Sequence, residues 1–259
     1  MRKKGDQRGK RRPAEKIVAW IVFASLALSM VFVIFKLITA PSGAVDGHIG
    51  GKMKSDYVLM LVQCILGLMA WMLPSFLTRH KWMRFPDSFL IMYFIFLYCA
   101  IYLGEIRNFY YAIPHWDTIL HAFSGAMLGV LGFTVLTLLH SNITSLTLSP
   151  AFVALFAFCF AVALGAIWEI YEFTIDSTMA LNMQKYLFED GTEKIGRAAL
   201  TDTMKDLIVD VAGAAVMSVT GFIMMKKKPG WLNTLHVKEE EKKEEQSKED
   251  TADVFSIKS

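Results

Sequence analysis

Apolar residues along this chain come in long blocks separated by short polar segments, and the lengths of those blocks decide the fold class. A helix needs about 20 mostly apolar residues, at about 1.5 Å each, to cross a hydrocarbon core of about 30 Å. Six blocks meet or approach that length, at residues 17–37, 57–77, 88–104, 118–139, 150–171 and 207–225. The third is the shortest. The pattern predicts an all-α, polytopic membrane helix bundle of about six transmembrane helices.

Lys and Arg in the short flanks set the orientation of such a bundle. The N-terminus carries Arg2, Lys3, Lys4, Arg8, Lys10, Arg11, Arg12 and Lys16. Arg79, Lys81 and Arg84 follow the second block, and Lys226, Lys227 and Lys228 close the sixth. With six spans all three groups fall on one side, which predicts that both termini are cytoplasmic. Segments 45–56, 105–116 and 176–206, mixed or acidic, then face outward. A cleaved signal peptide, with Ser42 and Ala44 before the cut, is the competing reading of the first block. Its length and the interrupting Lys36 favour an uncleaved anchor. Three regions result: a basic disordered N-terminus at 1–16, the bundle at 17–228, and a charged cytoplasmic tail at 229–259 too poor in apolar residues to order itself. The lipid bilayer is the expected surrounding, a bacterial plasma membrane the expected location, and anionic lipid head groups the natural attraction for the basic end.

Composition sharpens this reading in two places. Hydrophobic residues make up 54% of the chain, with mean hydropathy +0.40, above the usual share for a soluble domain. Cys64, Cys99 and Cys159 all fall within apolar blocks, so neither a disulfide framework nor a thiolate zinc site is expected. No phosphate-binding loop, serine-hydrolase elbow, dinucleotide fingerprint or nucleic-acid motif is visible, and nucleic acid is not an expected partner. Protein partners are left open by the sequence.

The candidate chemistry lies at three helix ends that the topology places on the outer side. The fourth block opens with Asp117 and His121; the fifth closes with Glu169, Glu172 and Asp176; the sixth opens with Asp202, Asp206 and Asp210. Spacings of three and four residues put each set on one helix face. Carboxylates crowded at a hydrocarbon boundary repel one another unless protons, basic side chains or a cation compensate. A divalent metal ion is the sharpest option, with His121, Glu172, Asp206 and Asp202 as expected ligands. Glu169 or Asp117 is the expected general base, and Arg197 and Lys205 are expected to hold an anionic group. The bland alternative is a polar network that only knits helices together.

The motifs Asp117-x-x-x-His121, Trp168-Glu169-x-x-Glu172 and Asp202-Thr203-x-x-Asp206-Leu207, followed by Gly213-Ala214, resemble those of the YjdF-like family of uncharacterised bacterial inner-membrane proteins. The likeness covers residues 116–221. That family's pattern has a longer Gly-Thr-x-Gly-Asp run, which Gly191-Thr192 and Gly196 only echo here. The resemblance implies a multi-pass membrane protein and supplies no activity. Three functions remain in play: a metal-dependent hydrolase or transferase on lipid head-group or phosphate-ester substrates, a cation- or proton-coupled transporter, and a non-catalytic membrane assembly partner.

Overall fold

The computed structural model describes residues 13–39, 52, 54–80, 83, 85–141, 148–188, 192–228 and 230–232. The N-terminal basic cluster up to Arg12, Ser42 and Ala44, and the tail from residue 233 lie outside them. The described chain forms α1 (Pro13–Thr39), α2 (Lys54–Arg79), α3 (Asp87–Leu97, continued by a π-helical segment Tyr98–Ile106), α4 (Phe109–Ala112), α5 (Trp116–Ser141), α6 (Pro150–Met179) and α7 (Arg197–Lys227). Six of these, all but the short α4, are long and apolar enough to cross a membrane. The all-α membrane bundle expected from the block pattern is therefore what the chain forms.

Local chemistry fixes several helix ends. Ser149 precedes α6 in an extended conformation, and its Oγ accepts the Phe152 N–H at 3.3 Å. Pro150 fills the first turn, where a missing N–H goes unnoticed. Ala180 closes α6 in the left-handed region, with φ 52° and ψ 49°. Gly196 precedes α7 at φ 63° and ψ −125°, a conformation side chains resist. In α3 the hydrogen-bond ladder widens at its end, where the Arg107 N–H donates to the Tyr102 carbonyl at 2.9 Å. Such π-helical segments concentrate at functional positions.

The six long helices fall into two groups of three. In the first, α1, α2 and α3 pack around Val22, Leu26, Phe94, Leu97 and Ile101. Two aromatic side chains tie this group together: Trp71 Nε1 donates to the Ala19 carbonyl at 2.8 Å, and the Tyr93 hydroxyl to the Ala70 carbonyl at 2.8 Å. In the second, α5, α6 and α7 pack mutually and more closely. Small residues allow it, since lipid tails supply no hydrophobic drive and packing distance decides association. A Cβ on Gly125 of α5 would stand 2.6 Å from the Asp210 carbonyl of α7. Helix-to-helix packing across the two groups runs through the π-helical segment of α3 and through α4, both against α5. Leu59 of α2 adds to this with Leu181 and Met183 from the segment after α6.

Candidate metal centre

The close packing of α5, α6 and α7 brings ionisable side chains together near one end. Asp117 and His121 share a face of α5 at four-residue spacing; Asp206 and Asp210 do the same on α7; Glu169 projects from α6. Asp117, His121 and Asp206 each offer one donor atom, and these atoms lie within 4.8 Å of one another. The imidazole is the hub. Its Nε2 is 3.8 Å from Asp117 Oδ1 and 4.0 Å from Glu169 Oε1, while its Nδ1 is 3.3 Å from Asp210 Oδ2. The Ser124 hydroxyl sits 2.9 Å from the His121 carbonyl and 3.3 Å from Asp210 Oδ1.

Burial makes this arrangement demanding. His121 is 8% exposed, Glu169 4%, and Asp206 and Asp210 3% each. The Asp117 side chain, at 26%, is the most open of the group. Neither oxygen of Glu169 has a hydrogen-bond partner. A buried carboxylate in that condition is among the most expensive states a side chain can adopt. Gly165, one turn before Glu169 on α6, leaves room for the neighbouring acid: a Cβ there would lie 2.6 Å from Asp210 Oδ2.

Other residues singled out in the sequence take different places. Glu172 accepts a hydrogen bond from Trp168 Nε1 at 2.9 Å. Asp202 lies one turn before Asp206, half-buried and outside the group of three donors. Arg197, at the first turn of α7, is exposed, and Lys205 is half-buried. Asp176 pins the segment after α6, accepting the Met183 N–H at 2.8 Å and the Gln184 N–H at 2.9 Å. That segment delivers Lys185. Its Nζ donates to the Met183 carbonyl at 3.0 Å and stands 4.5 Å over the Tyr110 ring. Burial disfavours the Lys185 ammonium, but Asp117, Glu105 and Glu172 outweigh it and raise the pKa. Lys185 therefore stays charged at neutral pH.

Asp210 and Glu105 were the parts hardest to find. Asp210 stood in the sequence as one of three acids opening the sixth block, with no sign that it meets the imidazole. Glu105 follows the third block as a single acid, a common and uninformative pattern. Only the π-helical segment brings it into the field of Lys185.

With that geometry in place, likeness to known proteins can be weighed. The family described as Predicted membrane protein (DUF2238) matches residues 18–227. This chain belongs to that family. The matched range takes in all six long helices and every residue of the centre, so the DUF2238 assignment covers the site as well as the scaffold. It agrees with the resemblance read from the motifs, that of an uncharacterised membrane family. A protein of Thermotoga maritima, described as uncharacterised, is 34% identical over 128 residues, covering 49% of this chain and 57% of that one. The match thus spans little more than half of the relative's length. No solved structure matches.

Proposed function

We propose that this DUF2238 protein is a metal-dependent hydrolase or transferase acting on head-group or phosphate-ester substrates at the outer leaflet. One observation carries the reading. Three ligand-type side chains from two helices converge within 4.8 Å, beside a Glu169 carboxylate that is 4% exposed and makes no hydrogen bond. A divalent cation supplies what that arrangement lacks, positive charge at the point where the carboxylates face one another.

In this reading Asp117, His121 and Asp206 hold the ion, a donor set of one imidazole and two carboxylates. The ion, when bound, would polarise a phosphoryl oxygen and lower the pKa of bound water. Glu169 lies beside the group as the general base, its buried oxygens uncommitted to any hydrogen bond. Asp117, the most exposed of the three, marks the side from which a substrate would approach. Lys185 contributes a fixed positive charge for an anionic group, the part expected above of Arg197 and Lys205. Asp202 and Glu172 lie outside the group of three donors.

The test is an assay on purified protein in vesicles of phosphatidylglycerol and phosphatidylethanolamine, with head-group release followed by phosphorus NMR. Release is expected with added divalent metal and not with chelator, and is expected to vanish in Glu169→Gln. Head groups that stay intact under every metal condition would remove this substrate class.

A further inference from the structure

His121 presents its two ring nitrogens to different surroundings. Nε2 faces Asp117 and Glu169, at 3.8 and 4.0 Å, while Nδ1 faces Asp210, at 3.3 Å. Asp210 is not one of the three grouped donors. It is held by its own fittings. Ser124 approaches Oδ1 at 3.3 Å, and His121 takes Oδ2. Gly165 on α6 leaves the space that Oδ2 occupies, and Gly125 on α5 lets the backbone of Asp210 come close. Both oxygens of Asp210 thus have partners, whereas both oxygens of Glu169 lack hydrogen bonds. The two buried acids are built for different work.

We infer that Asp210 is a positioning residue that fixes His121 with Nε2 as the metal donor, and that the centre therefore selects a divalent ion of the zinc or iron class over magnesium or calcium. The inference rests on the cation reading above and adds the class of ion. Its physical basis is twofold. A ligating imidazole passes its other N–H to a carboxylate, carbonyl or water, which sets the tautomer and strengthens the donor. Imidazole nitrogen suits zinc and iron, while magnesium and calcium favour oxygen-only shells. A carboxylate accepting the proton on Nδ1 leaves the Nε2 lone pair aimed at Asp117 and Glu169.

Calorimetric titration of the full chain in detergent tests this, with Zn²⁺ and Mg²⁺ as the probes. Wild-type protein is expected to bind one Zn²⁺ per chain and to keep it in a large excess of Mg²⁺. Asp210→Asn is expected to hold the stoichiometry at one while Zn²⁺ affinity falls by about ten- to a hundred-fold. Gly165→Ala changes no donor but crowds Oδ2, so it is expected to weaken Zn²⁺ in the same direction and covers the case of an Asp210→Asn variant that does not fold. Unchanged affinity in both variants would overturn the positioning role. So would complete loss of Zn²⁺ from folded Asp210→Asn, which would make Asp210 a ligand. Displacement of Zn²⁺ by comparable Mg²⁺ would overturn the selectivity. Wild-type protein that binds neither ion would remove the centre itself, an outcome distinct from wild-type binding that Asp210→Asn leaves untouched.

Discussion

The two groups of helices share apolar cores but differ in how many ionisable side chains they bury. Around α1, α2 and α3 the interior is mainly aliphatic and aromatic, with Glu15 at the start of α1 its one ionisable side chain among the buried residues described: Val22, Leu26, Phe94 and Ile101 fill it, and Trp71 and Tyr93 spend their polar atoms on neighbouring backbones. Around α5, α6 and α7 the interior combines an apolar cluster of Phe133, Leu136 and Val153 with small residues and, at one level, ionisable ones. Ala154, Ala157, Ala161 and Ala214 are buried there, and so are His121, Glu169, Asp206 and Asp210. A membrane bundle gains nothing in stability from four buried ionisable groups that apolar packing would not supply more cheaply. On the proposed reading the first group is scaffold and the second holds the metal centre.

Substitutions in each group test that difference. The largest effect is expected from His121→Ala, which removes the hub of the second group and should reduce divalent-metal affinity by more than about a hundred-fold, since a ligand matters more than its outer-shell partner. Titration of the folded variant checks this. Next, Phe94→Ala opens a cavity in the first group and should lower stability by about 3 kcal/mol. Denaturation in mixed micelles measures that loss, and metal affinity should stay within about twofold because the site's helices are untouched. Glu169→Gln comes third, and its two readouts should move apart. Without metal the variant should be more stable than wild type by about 1–2 kcal/mol, because a buried carboxylate without hydrogen bonds becomes neutral. With metal that gain should disappear. The smallest effect is expected from Lys185→Met. Removing a fixed cation near Asp117 should tighten divalent-metal binding by a few-fold, about 1 kcal/mol at the effective dielectric of such sites. Since the Lys185 pKa is raised, this difference should persist across neutral pH and shrink only in strong alkali, as wild-type Lys185 loses its proton.

Much of the fold was legible because hydrocarbon thickness imposes a length that block counting detects. The helix ends were not. The fifth apolar block stops at 171 while its helix runs to Met179; the sixth block opens at 207 while its helix begins at Arg197. Asp202, Lys205 and Asp206 lower the local hydropathy without breaking the helix, so the helix outlasts the apolar block. The site was legible as far as faces and sides go. Four-residue spacing put Asp117 with His121 and Asp206 with Asp210, and those pairs do sit on their helices as expected. What spacing within a helix lacks is the angle between helices. Glycines at 125, 165 and 213 set the approach of α5, α6 and α7, and that approach decides that Asp210 meets Nδ1 while Asp117 and Asp206 share the donor group. Lys185 shows the same limit: it was one of four basic residues in the outer segment, and the Asp176 pin selects it.

X-ray absorption at the metal edge of Zn²⁺-loaded protein examines the centre most directly. The account predicts one imidazole nitrogen with carboxylate oxygens, at about 2.0–2.2 Å, and loss of the imidazole signature in His121→Ala. A shell of oxygens alone, or a spectrum that His121→Ala leaves unchanged, would contradict it.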